Sequence, residues 1–114
     1  MTNETDVVIV GWGPVGQTLA ILLAERGWRV TALEKQPAPY PLPRAVHFDH
    51  ETARIIQAAG VADAMADGRI ESADFYEWRN GKGDVLLRFT SRPMGICGWP
   101  EANMFAQPEL ERLL

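Results

Sequence analysis

The chain has 114 residues, 46% of them hydrophobic, with 11 Lys and Arg against 15 Asp and Glu for a net charge of -4. That is an ordinary globular composition, without the basic excess that neutralises phosphates, so nucleic-acid binding is excluded. No apolar run nears the ~20 residues that span a bilayer, the acidic start Met1–Asp6 is no signal peptide, and Cys97 stands alone. The expectation is a reduced, cytoplasmic protein that binds neither nucleic acid nor membrane.

Taken in chain order, Asp6-Val-Val-Ile-Val10 is a β-branched run ending at Gly11, which predicts a strand buried on both faces of a parallel sheet. Val15, Leu19, Leu22 and Leu23 then recur at helical spacing up to Gly27, a suitable helix stop. Trp28 to Leu33 is a second β-rich run, closed by Glu34. The order is βαβ. From Gln36 to Arg44 the sequence QPAPYPLPR bars helix, because proline fixes φ, and predicts an extended surface connection. His50–Ala59 resumes a helical pattern, stopped by Gly60, and Ala62–Ala66 makes a further helical turn. Ile70–Arg79 has strand character, Asn80-Gly81 signals a hairpin turn and Val85–Phe89 returns. Residues 90–106 read as irregular. Gln107–Leu114 reads as the first turns of a helix, with Pro108 in its first position and Glu109 and Glu111 at the positive end of its dipole. No cap closes that helix, so the chain is expected to be the N-terminal piece of something larger.

Gly11-Trp-Gly-Pro-Val-Gly16 is a G-x-G-x-x-G motif. Alone the pattern is weak, but here it follows a strand and opens a helix inside a βαβ unit, the context that dinucleotide binding requires. Gly11 permits the turn out of the strand, Gly13 lets the backbone approach a pyrophosphate, and Gly16 lets helix and strand pack closely. Free N–H groups of the first helical turn and the helix dipole would hold the phosphates, with none from Pro14. Glu34 follows Gly16 by about 18 residues, close to the ~20 at which a carboxylate accepts from ribose hydroxyls. An acid there favours an unphosphorylated adenosine ribose, as in FAD or NAD. The glycines and the acid do not separate the two. The bulky Trp12 could shield the turn, pack against a neighbouring segment, or simply face outward.

Tyr40-Pro-Leu-Pro-Arg-Ala-Val-His-Phe-Asp-His-Glu51 resembles the N-terminal region of FAD-dependent aromatic hydroxylases, single-component monooxygenases with the para-hydroxybenzoate hydroxylase fold. The likeness extends to Ala73–Arg79, Gly98-Trp-Pro100 and Asn103–Glu111, and is strongest to the 3-(3-hydroxyphenyl)propionate/3-hydroxycinnamate hydroxylase group. It implies an α/β fold: a Rossmann-like βαβ FAD-binding unit followed by a helix and a β-hairpin. Residues 1–114 would be the first portion of an FAD-binding domain, with about 70–100 supplying strands that lead into a substrate domain.

The resemblance implies cofactor contacts at Gly11, Gly13, Pro14, Val15 and Gly16 for the pyrophosphate, and at Glu34 and Lys35 for the adenosine end. Arg44 would be a cationic contact near the pyrophosphate, or else a solvated loop arginine. Ala45 and Val46, with His47, match the segment that passes the isoalloxazine ring. Gln107 matches a hydrogen-bond partner of the flavin or its ribityl chain, and is otherwise a plain helix-start residue. His47 is either an acid or base of the active site or a hydrogen-bonded structural histidine. No metal is expected, since His47, Asp49, His50 and Glu51 lack a ligand spacing and a helix N-terminus accounts for the acids. No catalytic residue is assigned.

The implied activity of the full enzyme is hydroxylation of a phenolic aromatic substrate with O2, NADH or NADPH being the reductant and FAD the cofactor. The family's second Asp-Gly element and later Gly-Asp element are not found, Ala66-Asp-Gly68 lying too early and in a helical turn to count, so this piece alone is expected to be inactive. Two alternatives stand beside it: an FAD-dependent oxidase, epoxidase or reductase, and a truncated, non-catalytic nucleotide-binding module. An NAD-dependent dehydrogenase fits less well, because the proline-rich segment and the hairpin interrupt β-α-β alternation. Oligomeric state is not legible.

Overall fold

A computed structural model of the protein describes residues 4–114, so the first three residues of the acidic start lie outside it. Strand β1 (Val7–Val10), helix α1 (Pro14–Ala24) and strand β2 (Val30–Leu33) form the βαβ unit. β1 and β2 pair in parallel, Val7 with Val30 through Val10 with Leu33. Pairing continues into the glycine turn, where the Gly11 N–H donates to the Leu33 carbonyl at 2.7 Å. α1 is ended by a turn through Gly27, in which the Gly27 N–H bonds the Ala24 carbonyl and the Trp28 N–H bonds that of Leu23. This pair of bonds satisfies carbonyls that the last helical turn leaves free.

Two expectations for this unit need correction. β1 is not buried on both faces: Ile9 is buried, whereas Val8 and Val10 are 51% and 83% exposed. α1 covers the Ile9 side, and the other side of the two-stranded sheet is open. Nor is the helical apolar pattern of α1 evenly covered: Val15 and Leu19 are exposed and Leu22 and Leu23 half-buried, while Gln17 and Ala20 are buried. Gln17 is held inward by its side-chain bond to the Trp12 carbonyl.

The second half is built around a three-stranded antiparallel sheet in the order β3 (His47–Phe48), β7 (Asn103–Phe105), β4 (Ile70–Ser72). Helices α2 (His50–Ala58), α3 (Ala62–Ala66) and α4 (Gln107–Leu113) complete it. Phe48, Ala53, Ile56, Met65 and Leu110 make the buried core, with Val61, Ile70, Trp99 and Phe105 packed on it. The Phe48 and Phe105 rings lie 4.9 Å apart, joining the outer and central strands through their side chains. α2 starts where expected, capped by Asp49, whose Oδ1 accepts the Thr52 N–H at 2.8 Å. That cap occupies the carboxylate and lowers its pKa.

Three further differences concern β structure. The Ile70–Arg79 run is two strands, β4 and β5 (Phe75–Arg79), broken at residues 73 and 74. β5 pairs with β6 (Val85–Thr90), but its turn is longer than an Asn-Gly hairpin. Asn80 Oδ1 accepts the N–H groups of Lys82 and Asp84, and the left-handed position falls on Gly83 instead of Gly81. The stretch 90–106, read as irregular, contains the central strand β7. Finally, α4 begins at Gln107, so Pro108 holds its second position.

Candidate dinucleotide site

The glycine turn joins β1 to α1 at the ends of both parallel strands. Gly11 has φ +109°, a backbone conformation open to glycine. A Cβ on Gly16 would stand 2.2 Å from the Gly11 carbonyl oxygen, so the turn closes only without one. Gly13 is the N-cap of α1, and a Cβ there would meet nothing within 4 Å. Pro14 opens the helix, its missing N–H costing no hydrogen bond in the first turn. Val15 is 83% exposed on the first turn of the helix.

Glu34, immediately after β2, reaches back to this turn. Its Oε2 accepts the Trp12 N–H at 2.8 Å and its Oε1 accepts the Gln36 N–H at 2.8 Å. Those two backbone donors hold its carboxyl below the ordinary carboxylate pKa. A carboxylate offers about four lone-pair directions, so acceptor capacity remains for ribose hydroxyls. On the opposite side, Gln17 Nε2 donates to the Trp12 carbonyl at 3.0 Å. Both ends of the Trp12 residue are therefore tied. The residue borders a cavity of about 390 Å³ with Ala20, Ile21, Ala24, Val30 and Ala32. Trp12 itself is 39% exposed.

A second cavity, of about 370 Å³, connects the glycine turn to the segment after the prolines. Pro14, Ala45, His47, Phe48, Asp49, Thr52, Ile56, Phe105 and Leu110 line it. The expected site residues Pro14 and Ala45 thus line the same cavity, although 31 positions apart by number. His47 lies edge-on to the Tyr76 ring at 5.4 Å, bringing hairpin β5–β6 against that segment. Val46 is half-exposed, and its carbonyl accepts the Phe105 N–H at 3.0 Å. Lys35 and Arg44 are exposed, the Arg44 guanidinium lying 4.1 Å over the Tyr40 ring.

Gln107 does not spend its amide on its own helix N-terminus. Its Oε1 accepts the Ala45 N–H at 2.9 Å, and its Nε2 donates to Glu111 at 2.7 Å. Sequence reasoning singles out neither Gln17 nor this use of Glu111. The available signal is spacing: each is a polar residue four positions along a helix from a site residue, Gly13 or Gln107.

The residues present fit a dinucleotide. A backbone cradle that a Cβ would fill stands at a helix N-terminus, next to a fixed carboxylate and open space at Gly13.

The FAD binding domain family matches residues 4–114. The chain is 46% identical over 112 residues to a probable NADH-specific resorcinol 4-hydroxylase of Rhodococcus jostii, covering 98% of this chain and 21% of that protein. It is 35% identical to a 3-(3-hydroxy-phenyl)propionate/3-hydroxycinnamic acid hydroxylase of Comamonas testosteroni, covering 98% and 19%. The chain therefore spans about a fifth of the length of these relatives. The crystal structure of p-nitrophenol 4-monooxygenase from Pseudomonas putida superimposes with TM-score 0.80 at 29% identity, over 96% of this chain and 28% of that one. Sequence, fold and cradle agree: the chain belongs to the FAD binding domain family and has the α/β fold of flavin-dependent aromatic monooxygenases.

Proposed function

We propose that the chain is the FAD-binding portion of a monooxygenase that hydroxylates a phenolic ring with O2 and a reduced nicotinamide. The observation that carries this reading is the Glu34 carboxylate fixed on the Trp12 N–H, beside a glycine turn that tolerates no Cβ at Gly16. In it, Gly11, Gly13, Pro14, Val15 and Gly16 hold the pyrophosphate, while Glu34 and Lys35 hold the adenosine ribose and its surroundings. Arg44 adds a cation for the phosphates, and Ala45, Val46 and Gln107 border the flavin. Bound FAD supplies the redox chemistry, taking electrons from the nicotinamide and activating O2.

The chain's own contribution is placement. Backbone N–H groups at the start of α1 stabilise phosphate charge, and Glu34 selects a ribose with free hydroxyls. Pairing with β7 and the Gln107 amide hold the 45–48 segment on the cavity that Pro14 also lines. The name of the 46% identical relative favours NADH as reductant and a phenol as substrate. The likeness to phenol-acting hydroxylases supports hydroxylation over oxidase or reductase chemistry, and over a non-catalytic module.

The test is made on the complete protein. Stoichiometric FAD, NADH oxidation stimulated by resorcinol or a hydroxyphenylpropionate, and an added ring hydroxyl by mass spectrometry are expected. NADH oxidation with peroxide as the sole oxygen product would overturn the hydroxylase reading.

A further inference from the structure

We propose that Glu111 is a positioning residue for the flavin site, acting through Gln107 on the backbone of Ala45. The inference rests on the FAD reading above and adds to it a residue that does not border the cavity. The Ala45 N–H can only donate, so the Gln107 atom facing it at 2.9 Å must be the amide oxygen. This leaves the Gln107 nitrogen pointing the other way, where Glu111 accepts from it at 2.7 Å. An acceptor at that position holds the amide in one of its two orientations. Without it, the amide is free to rotate and present two N–H donors to the Ala45 N–H.

Burial makes the arrangement exacting. Gln107 and Glu111 are 8% and 9% exposed, so water does not freely replace a lost partner. The relay spans one turn of α4 and then crosses to a residue 62 positions earlier in the chain. Ala45 is followed by β3, which pairs with β7 just before α4. The same small region is thus fixed twice, by the β3–β7 ladder and by the Gln107 amide. Only the amide bond reaches Ala45, where the backbone borders the cavity that opens toward Pro14. Glu111 thereby sets the position of a cavity wall from behind it.

The experiment uses the complete protein and the variants E111Q, E111L, Q107L and Q107L/E111L. Hydrogen–deuterium exchange of the peptide covering residues 44–48 is followed in FAD-free protein, and FAD affinity is measured separately. E111L and Q107L are each expected to raise exchange at Ala45 and to weaken FAD binding by about 10-fold, the scale of one lost buried hydrogen bond to a charged group. E111Q keeps an acceptor within reach of Gln107 and should stay within about 2-fold of the parent on the same scale. The double variant should be no worse than Q107L alone, because both changes remove one relay. Unchanged exchange in E111L, or additive effects in the double variant, would overturn the proposal. Raised exchange with unchanged FAD affinity would leave the relay standing and remove the flavin contact from this segment, which separates the two failures.

Discussion

Glu34 accepts the backbone N–H of Trp12 at 2.8 Å, so the acid at the end of one strand closes the glycine turn at the end of the other. The contact ties together the two features that the motif places about 18 residues apart. Replacing Glu34 by alanine should therefore loosen the turn as well as remove a ribose acceptor. FAD affinity is expected to fall at least about 10-fold, while turnover of the reloaded complete enzyme changes less. Fluorescence titration and reconstituted activity check this, and parent-like affinity in Glu34→Ala would refute the ribose assignment.

The same carboxylate predicts a pH response. Its pKa is lowered by the Trp12 and Gln36 N–H groups, so these bonds favour the charged form. Their contribution is complete above the ordinary value of 4.5 and is lost as pH falls through the lowered folded value. In Glu34→Gln, which has no carboxylate to protonate there, FAD affinity should be lower above that range and its fall on acidification through it should be absent. A flavin-fluorescence titration of both proteins provides the comparison.

Gly13 and Gly16 should respond oppositely to a side chain. Alanine at Gly16 would place a Cβ 2.2 Å from the Gly11 carbonyl, a backbone atom that cannot swing aside. A loss of about 3 kcal/mol of stability is expected, read as a lower melting temperature. Gly13 has extended geometry and open space at its Cβ, so Gly13→Val should fold normally. Its defect should be in FAD loading. Fully flavinated Gly13→Val would count against the pyrophosphate assignment.

Asn103 is fully buried in the central strand, and its Nδ2 donates to the carbonyls of Pro100 at 2.7 Å and Phe48 at 3.3 Å. Asn103→Leu leaves both carbonyls without that donor and should cost about 2–3 kcal/mol. Asn103→Asp should be worse, since it turns a carboxylate toward two carbonyl oxygens. Chemical denaturation of the complete protein measures both, with a near-neutral Asn103→Leu as the contrary result.

Arg29 makes a two-pronged contact with Asp6, and its side-chain bond is the main reason the Asp6 pKa falls from 3.8 to about 2. Arg29→Ala should return Asp6 toward 3.8, as seen by carboxyl NMR titration. Because the pair is solvent-exposed, the melting temperature near neutral pH should barely change. The pair's small contribution is present above 3.8 and disappears as pH falls toward 2.

The parts of the fold legible in sequence are those whose causes are local. A β-branched run, a glycine turn, a helix stop and an acid all lie within residues 6–34, and the βαβ unit follows from them. The proline-rich segment likewise announces its lack of helix. β7 is different: three residues, Asn103–Phe105, carry no periodicity, and their strand character comes from partners at 47–48 and 70–72. The inner face of α1 misleads for a related reason. Gln17 is buried with its amide on the Trp12 carbonyl, a contact that apolar spacing does not announce, and Val15 is exposed. At the site, residue types mark the glycines, Glu34 and Gln107, but hydrogen-bond direction shows that Gln107 turns to Ala45 and Glu111.

The central position of β7 has a temporal consequence. The glycine turn and the strand pair that carries it draw on residues 6–34 alone. The 45–48 wall gains its hydrogen-bonded neighbour only when residues 103–105 have joined the sheet. During synthesis all residues of the glycine turn are thus present some seventy residues before the strand that completes the 45–48 segment, roughly 4–14 s at ribosomal speed. A nascent chain in that interval holds every residue of the glycine turn but lacks the strand on which the 45–48 segment pairs.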